Sequence, residues 1–337
     1  MYPGADCACF CKPPSRPTCK KKVSFFELVT ALAFDQFARQ KVDIAIIEVG
    51  LGGRLDATNV LHPLLTITTD ISFDHTDILG STLAQIASEK AGIIKAEVPH
   101  LSGLVPAEAS VILKKKAKLV GTKYQTISSR DFKADKTKLL LDYRSDNMKI
   151  SHLAPSLKGT HQLINAALVI KAASILNTNR FPLSKRAIIH GIKSTDWPGR
   201  FQIVEKKGQP TLILDVCHNV GGSRAFADTF RRMFPHRKAD IIAGFVKKKE
   251  HQKMIDELAP VAARFTLVPM KTHRSVELAE FIKEMDWHGV EIIPSGSLRS
   301  ALATAKKRQL SPQQTMPIAI IGSHYLVGEF LEGFIRS

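Results

Sequence analysis

The sequence has few of the features that mark membrane-spanning or secreted proteins. Its longest apolar runs, such as residues 44–47 and 318–321, are far shorter than the roughly 20 residues that cross a bilayer. Its first residues lack the long apolar core of a secretory signal. Only one of the five cysteines, Cys217, lies beyond residue 19, so no disulfide framework spans the chain. We therefore expect a cytoplasmic protein without membrane association.

Aromatic residues are also scarce, at 7% of the sequence, and none is interleaved with the basic clusters. Those clusters are residues 20–22, 114–118, 247–249 and 306–308. The net charge of +17 predicts an anionic partner. A nucleic-acid groove combines basic side chains with rings for base stacking, and here the rings are missing. We expect solvated basic faces and small anionic ligands such as nucleotides, and no nucleic acid.

Residues 1–22 differ in composition from the rest of the chain. They hold four of the five cysteines together with prolines and lysines, and they have no apolar periodicity. The cysteine spacing lacks the paired Cys-x-x-Cys knuckles of common zinc sites. We interpret these residues as a disordered or aberrant tail and expect the fold to begin near Ser24.

Beyond the tail, apolar runs alternate with helical patterns, which is typical of α/β proteins. Residues 42–49 predict a buried strand that ends in a glycine loop, and residues 64–68 predict a second strand. A fresh series starts after residue 182, with predicted strands at 211–216, 241–245, 265–268, 291–293 and 318–321. We expect one domain over residues 23–182 and a smaller, doubly wound domain over residues 183–337.

Polar residues follow several predicted strands, at the edge where ligands collect in open α/β sheets. Glu48 precedes the glycine loop, and a carboxylate there suits Mg²⁺, which takes few protein oxygens. His75 follows the second strand, and Lys90 lies on a predicted helix among apolar residues that would partly bury its amine. A solvated acid, a structural histidine and a surface lysine are the alternatives for these three residues.

Two further groups lie in the second half of the chain. Arg200 follows the turn at Pro198 and Gly199, from which its guanidinium can reach a phosphate, although a fixed linker turn would look the same. Asp215 and His218 end the first strand of the second domain and place polar groups at its mouth. Each of these signals is weak when taken alone.

Taken together, four strings resemble those of the dihydrofolate synthase/folylpolyglutamate synthase family of Mur ligases. They are IIEVGLGGRLDATN, DHTDILGSTLAQIASEKAGIIK, WPGRFQIV and DVCHN. The resemblance runs from about Ser24 to the end of the chain. It implies a P-loop-type central domain, a smaller Rossmann-like glutamate-ligase domain and ATP-driven amide formation. In that reaction a carboxylate of dihydropteroate or of a folate's glutamate tail is phosphorylated and then attacked by L-glutamate.

The resemblance also implies roles for residues in the first half. Glu48 would hold one Mg²⁺, and His75 and Lys90 would hold a second. Lys90 would be carbamylated, because a carbamate gives a hard cation the oxygen ligand that it prefers. The residues that match pterin-side substrate contacts are Ser24, Leu55, Asp56 and Ala57.

Further matches concern ATP and the reaction centre. Asn165, Arg200 and Asp215 match residues that contact ATP. His218 lies where the family brings the phosphorylated intermediate and glutamate together, and Lys90, His218 and Asp215 are the catalytic candidates. Relatives of this kind are monomers, so we expect a monomer whose partners are a folate or dihydropteroate, L-glutamate and ATP.

The sequence departs from the family at its front. The family opens with a strand, a glycine-rich loop and a helix that cradle the ATP phosphates, and no G-x-x-x-x-G-K-[ST] occurs here. We therefore expect an N-terminally truncated central domain. Residues 247–249 are lysines where the family has a stretch containing aspartate.

The alternatives to a ligase are a catalytically impaired or truncated folate- or nucleotide-binding remnant, a cell-wall Mur ligase and a basic nucleic-acid-binding protein.

Overall fold

The computed structural model describes residues 23–145, 148–178, 181–308 and 316–334. The chain divides into two compact units, residues 1–126 (unit 1) and residues 127–337 (unit 2). The tail predicted for residues 1–22 lies outside the described residues, and the domain boundary at residue 182 stays a prediction. Within the described part of the chain, no helix has the length and apolar character needed to cross a bilayer.

Unit 1 contains a three-stranded parallel sheet with helices packed against it. Its strands, in the order β1–β2–β3, are β1 (Thr66–Thr68), β2 (His100–Ser102) and β3 (Tyr124–Thr126). Its helices are α1 (Phe25–Gln40), α2 (Thr76–Leu79), α3 (Leu83–Lys90) and α4 (Ala107–Leu119). The core is formed by α3 and α4, whose Ile86 and Leu113 are buried. The predicted strand at 64–68 is confirmed as β1.

The segment at residues 42–49 corrects a prediction. It is not a strand: no strand among residues 23–126 pairs with it, and Ile46 is 93% exposed. An apolar run forms a stable strand only when a neighbour satisfies its backbone groups and covers its side chains. The apolar pattern was real, but the described part of unit 1 offers it no such neighbour.

Unit 2 begins with a small antiparallel sheet and two helices. The sheet has the order β4 (Phe132–Asp135), β5 (Leu140–Ser145) and β6 (Met148–Leu153). Helix α5 (Thr160–Leu176) packs on this sheet, and α6 (Lys185–Ser194) follows it. Serine at the N-cap begins α6, because the Ser184 hydroxyl accepts a hydrogen bond from the Ala187 N–H at 3.1 Å.

The rest of unit 2 is a six-stranded sheet in the order β11–β10–β9–β12–β8–β7. The strands are β7 (Gln202–Val204), β8 (Leu212–Asp215), β9 (Ala239–Ala243), β10 (Ala262–Leu267), β11 (Glu291–Pro294) and β12 (Ile318–Ile321). The helices are α7 (Val220–Met233), α8 (His251–Leu258), α9 (Leu278–Glu284), α10 (Leu298–Lys307) and α11 (His324–Phe334). All five strands predicted for this half are confirmed.

The central strands of this sheet are buried on both faces. Every residue of β9 and β12 is buried, because Phe226 and Phe230 cover one face and Leu298 and Leu302 cover the other. Since β8, β9, β10, β11 and β12 run parallel, their carboxyl ends meet at one edge. We call this the carboxyl edge of unit 2.

Candidate functional site

A small polar cavity lies in unit 2 at the carboxyl end of β8. Its volume is about 130 Å³, and it is lined by Lys158, His161, Arg200, Asp215, Cys217, His218, Asn219, Gly222 and Ala225. Pockets for whole ligands usually measure about 300–1,000 Å³. The cavity therefore suits a single anionic group, such as a phosphate or a carboxylate, at one end of a larger ligand.

Asp215 fixes the turn that carries Arg200. Its Oδ2 accepts a hydrogen bond from the Phe201 N–H at 2.9 Å, and its Oδ1 accepts one from the Cys217 N–H at 2.8 Å. Phe201 has a φ of 44°, in the left-handed region that few side chains adopt, so these bonds hold a strained turn in place. Burial raises the pKa of Asp215 to about 6, against the opposing effects of the two N–H groups and Arg200.

The segment after Asp215 begins helix α7 at the cavity. The Asn219 Oδ1 caps the helix by accepting a hydrogen bond from the Gly222 N–H at 2.8 Å. A Cβ at Gly222 would lie 3.0 Å from the Cys217 Cα, so this close approach favours glycine. Burial raises the pKa of the Cys217 thiol well above its usual range, which leaves the thiol neutral and a poor nucleophile.

His218 lies beside a second histidine from the β12 side of the sheet. The ring centroids of His218 and His324 are 5.3 Å apart, with an interplanar angle of 43°. This pair joins the loop after β8 to the start of α11. One residue of the cavity lining is therefore in contact with the segment that follows β12.

Lys158 and His161 complete the lining, and the sequence analysis assigned neither of them a role. Lys158 precedes α5 and His161 lies in its first turn, and both are far from Arg200 along the chain. The local feature that accompanies them is Gly159, whose φ is 123° and whose added Cβ would lie 2.6 Å from the His161 ring. Burial and the nearby Arg200 charge lower the pKa of His161. The cavity thus gathers basic side chains that are distant in sequence.

Asn165 belongs to a different surface. It lines a mostly apolar groove of about 410 Å³ between α5 and α6 and is not among the residues that line the smaller cavity. Its amide donates a hydrogen bond to the Gln162 Oε1 at 3.0 Å. The structure therefore brings Arg200, Asp215 and His218 together in one cavity and leaves Asn165 in the neighbouring groove. Its contact with ATP stays a prediction.

In unit 1, the glycine loop after Glu48 packs on the end of α3. The Arg54 N–H donates to the Glu89 carbonyl at 2.9 Å, and the Arg54 guanidinium pairs with the Glu89 carboxylate at 3.0 Å. A Cβ at Gly53 would lie 3.2 Å from the Lys90 carbonyl. Glu48 itself is exposed and Lys90 is half-buried. The loop that follows Glu48 and the helix that ends at Lys90 therefore touch.

His75 begins α2 with a φ of 50°, and Leu79 of that helix lies against Gly52 of the same loop. The described residues contain no group of three His, Cys, Asp or Glu side chains placed to hold a metal ion. Glu48 and His75 are only two such ligands, and Lys90 becomes an oxygen ligand only as a carbamate. The metal assignment stays a prediction.

The residues predicted to contact substrate have clear local contacts. Asp56 shapes the loop: its carboxylate accepts hydrogen bonds from the Leu51 N–H and the Thr58 N–H, each at 2.9 Å. Ser24 caps α1, because its hydroxyl accepts from the Glu27 N–H at 3.2 Å. Leu55 is 80% exposed and Ala57 begins a short 3₁₀ turn. Their contact with a pterin stays a prediction.

Two domain families match the chain. The Mur ligase middle domain matches residues 20–173, and the Mur ligase glutamate ligase domain matches residues 199–323. With its α/β fold and its basic cavity at the mouth of β8, the chain is a member of the Mur ligase class. The α/β class and the Mur ligase domains predicted from the sequence are confirmed.

Individual relatives identify the family within the Mur ligase class. The chain is 31% identical over 311 residues to the folylpolyglutamate synthase of Lacticaseibacillus casei, covering 90% of this chain and 70% of the relative. It is 36% identical over 243 residues to the dihydrofolate synthase/folylpolyglutamate synthase of Bacillus subtilis, covering 70% and 56%. The Mycobacterium tuberculosis folylpolyglutamate synthase, solved with ADP and AMPPCP, has a TM-score of 0.83 at 27% identity and is matched over 94% of this chain and 74% of that one. The chain belongs to the folylpolyglutamate synthase/dihydrofolate synthase family.

Proposed function

We propose that the chain is an ATP-dependent ligase that adds L-glutamate to dihydropteroate, to tetrahydrofolate or to both. The observation that carries this proposal is the basic cavity at the carboxyl end of β8, where Asp215 fixes Arg200 beside His218. The family and the nucleotide-bound relative support ATP use. They also favour a ligase over a remnant that only binds folate or nucleotide.

The reaction has two steps. The acceptor carboxylate attacks the γ-phosphorus of ATP, which gives an acyl phosphate and releases ADP. The glutamate amine then attacks the acyl carbon, an amide bond forms, the C–O bond to phosphate breaks, and the amine loses a proton. Both steps develop negative charge on phosphate oxygens, which fixed cationic groups stabilise.

The residues of the cavity fit these needs. Arg200 and Lys158 would clamp the phosphate oxygens, with the N-terminus of α7 adding its backbone N–H groups. Asp215 would hold Arg200 in position, and Asp215 and Asn165 would contact the nucleotide. His218 would stand next to the acyl phosphate and take the proton that the amine loses.

The family also implies Mg²⁺, and the contacts in unit 1 support the residues assigned to it. Glu48 would hold one ion, and His75 with carbamylated Lys90 would hold the second. This assignment is supported by the contacts of the glycine loop after Glu48, whose Gly53 lies against the end of α3 and whose Gly52 lies against Leu79 of α2. Bound Mg²⁺ neutralises phosphate charge during transfer. Ser24, Leu55, Asp56 and Ala57 would face the pterin, in a monomer that works in the cytoplasm.

The function is tested with the full chain, Mg-ATP, L-glutamate and either dihydropteroate or tetrahydrofolate. We expect glutamate-dependent ADP release and a product that is one glutamate heavier by mass spectrometry. Arg200→Ala should lower kcat/KM by roughly 100-fold or more, because a fixed cation at the developing charge is lost. Arg186→Ala, an exposed arginine on α6, is the matched control. No glutamate-dependent ADP release with either acceptor would overturn the proposal.

The Lys90 assignment has its own test. We expect ¹³C-bicarbonate to give a carbamate signal in the ¹³C NMR spectrum of the protein, and Lys90→Ala to abolish that signal. Lys90→Ala should also lose activity and regain little when bicarbonate is added. A normal turnover rate for Lys90→Ala would show that the lysine is not a metal ligand.

A further inference from the structure

A second histidine, His324, lies beside His218 at the start of α11. The centroids of the two rings are 5.3 Å apart, with an interplanar angle of 43°. Rotation about the broad terminal torsion of a histidine exchanges the positions of its ring nitrogens. A nitrogen of one ring therefore comes within reach of a nitrogen of the other, either directly or through one water. None of the four strings that carry the family resemblance contains His324, so this contact has no counterpart among the sequence motifs.

The two rings have different surroundings. His218 is half-buried and lines the cavity, whereas His324 is exposed as the first residue of α11. One ring therefore faces the groups that react and the other faces water. The pair connects the interior of the cavity with the solvent.

Helix α11 holds His324 in a fixed place beside the cavity. Leu326 and Val327, in the first turn of the helix, are buried in the core that covers one face of the large sheet. A Cβ at Gly199 would lie 2.9 Å from the Val327 Cγ1, so the turn that carries Arg200 packs directly on this helix. The first turn of α11 is thus part of the packing that supports the cavity.

The turn that leads from β12 to α11 is equally tight. Gly322 has a φ of 104°, and a Cβ there would lie 2.6 Å from the Gly244 carbonyl oxygen. Ser323 is 3% exposed, and its hydroxyl accepts a hydrogen bond from the Tyr325 N–H at 3.1 Å. These contacts leave the backbone on either side of His324 little freedom. A fixed scaffold therefore presents the ring, as a functional group requires.

The charge of the cavity supplies a reason for a second imidazole. The ionisable side chains that line the cavity beside His218 are Lys158, His161, Arg200, Asp215 and Cys217. When His218 takes the proton that the amine loses, it becomes a cation beside Lys158 and Arg200. Like charges repel strongly in a confined site that is poorly solvated. A proton that moves to the exposed ring of His324 is solvated by water, so the repulsion inside the cavity is relieved.

We propose that His324 is a positioning residue that acts through His218, by receiving its proton and passing it to water. This inference rests on the proposed function. The glutamate nitrogen forms its bond to the acyl carbon, and the C–O bond to phosphate breaks with its electron pair on phosphate. The N–H proton moves to His218, from there to His324 and then to water. Neutral His218 is thereby restored for the next turnover.

The test replaces His324 in the full chain and measures glutamate-dependent ADP release with Mg-ATP and dihydropteroate or tetrahydrofolate. His324→Leu should lower kcat about tenfold, because His218 can still release its proton slowly to water. Loss of a general base itself costs roughly 100-fold or more. The KM values for glutamate and ATP should stay unchanged, because the relay acts after both substrates are bound.

Two further variants distinguish a relay from simple packing. His324→Ala should lose the same activity and regain most of it with added imidazole, which can occupy the vacated space and carry the proton. His218→Ala/His324→Ala should be no slower than His218→Ala, because a relay that acts through His218 contributes nothing without it. The matched control is His190→Ala, an exposed histidine on α6, which should keep the native kcat and show no response to imidazole.

The outcomes separate the relay from the proposed function. A native kcat for His324→Leu would overturn the relay and leave the proposed function intact. A higher KM with an unchanged kcat, a loss that imidazole does not restore, or a loss that adds to that of His218→Ala would do the same. Absence of glutamate-dependent ADP release from the native chain would overturn the proposed function together with the relay.

Discussion

Unit 1 and unit 2 bury their apolar side chains to different extents. Every residue of β9 and β12 in unit 2 is buried, whereas the strands of unit 1 have three residues each and Phe25 of α1 is 82% exposed. Asp215 ends β8 next to the fully buried β12 and holds the turn that carries Arg200, whereas Glu48 lies on a segment that no strand among residues 23–126 pairs with. A rigidly packed site holds its charged groups in place before the ligand binds, and this stabilises the charge that develops during the reaction. Loosely packed segments unfold locally more readily.

The largest expected effect compares two phenylalanines on helices. Phe230 of α7 is fully buried and Phe25 of α1 is 82% exposed. Phe230→Ala should lower the free energy of unfolding of unit 2 by about 3–5 kcal/mol, because it leaves a cavity in the core. Phe25→Ala should change stability by less than about 0.5 kcal/mol. Urea titrations that follow Trp287, which is buried in unit 2, measure the first. Hydrogen exchange of the peptide that spans α1 measures the second.

A large loss for Phe25→Ala would contradict the comparison. It would mean that the exposed face of α1 is covered in solution. Phe26, which is 42% exposed and whose ring lies against Gly50, serves as a control on another face of the helix.

The second prediction is that acid affects the two units in opposite directions. Burial lowers the pKa of His100 in unit 1 to about 4 from its ordinary 6.5. The folded state holds His100 neutral, so its full stability is present above pH 6.5. As the pH falls towards 4, protonation of His100 in the unfolded state lowers the free energy of unfolding. At pH 5 the loss is about 2 kcal/mol. The pKa of Asp215, raised to about 6 from its ordinary 3.8, has the opposite effect. Ionising this buried carboxyl destabilises unit 2 as the pH rises towards 6. Lowering the pH from 7 to 5 should therefore raise the free energy of unfolding of unit 2 by about 1 kcal/mol.

Hydrogen exchange at pH 7 and pH 5, corrected for the intrinsic rates, measures this difference through the peptides that contain β2 and β8. His100→Gln should remove the acid sensitivity of the β2 peptide, and Asp215→Asn should remove the acid gain of the β8 peptide. If the two peptides respond to acid in the same direction, other titrating groups dominate and the comparison fails.

The sequence predicted five of the six strands of the large sheet of unit 2, because each contains an apolar run of the right length, as at Ala239–Ala243 and Ile318–Ile321. It also predicted three residues of the cavity, Arg200, Asp215 and His218, because they follow a strand or a turn. It was wrong at residues 42–49, since an apolar run does not reveal whether a neighbouring strand exists.

Lys158 and His161 were not predicted to join the site, because the glycine between them, Gly159, does not by itself mark a neighbouring lysine or histidine as a cavity residue. Only the tertiary fold brings α5 next to the turn of Arg200. The backbone role of Asp215 was equally invisible in the sequence. The hydrogen bond to Phe201 depends on a left-handed turn that the Pro-Gly pair alone does not specify.

The smallest expected effect separates two roles of Ser24, a helix cap and a predicted substrate contact. Ser24 and Glu27 form a capping box, in which the Ser24 N–H donates to the Glu27 Oε2 at 2.7 Å and the Ser24 hydroxyl accepts from the Glu27 N–H. Ser24→Ala should cost about 1 kcal/mol, whereas Ser24→Asn keeps a capping oxygen and should cost a few tenths. Ser297→Ala at the cap of α10 in unit 2 is the matched control for the loss of a cap.

Local unfolding of the α1 peptide, followed by hydrogen exchange, reports the cap, and folate affinity reports the contact. If Ser24 acts only as a cap, Ser24→Asn retains both the protection of α1 and the folate affinity. If it also contacts the pterin, Ser24→Asn retains the protection but weakens folate binding. Because α1 has few buried side chains, the loss of its cap should open it more than the loss of Ser297 opens α10, whose Leu298, Ala301 and Leu302 are buried. Equal opening of the two helices would show that α1 is held by contacts stronger than its exposed face indicates.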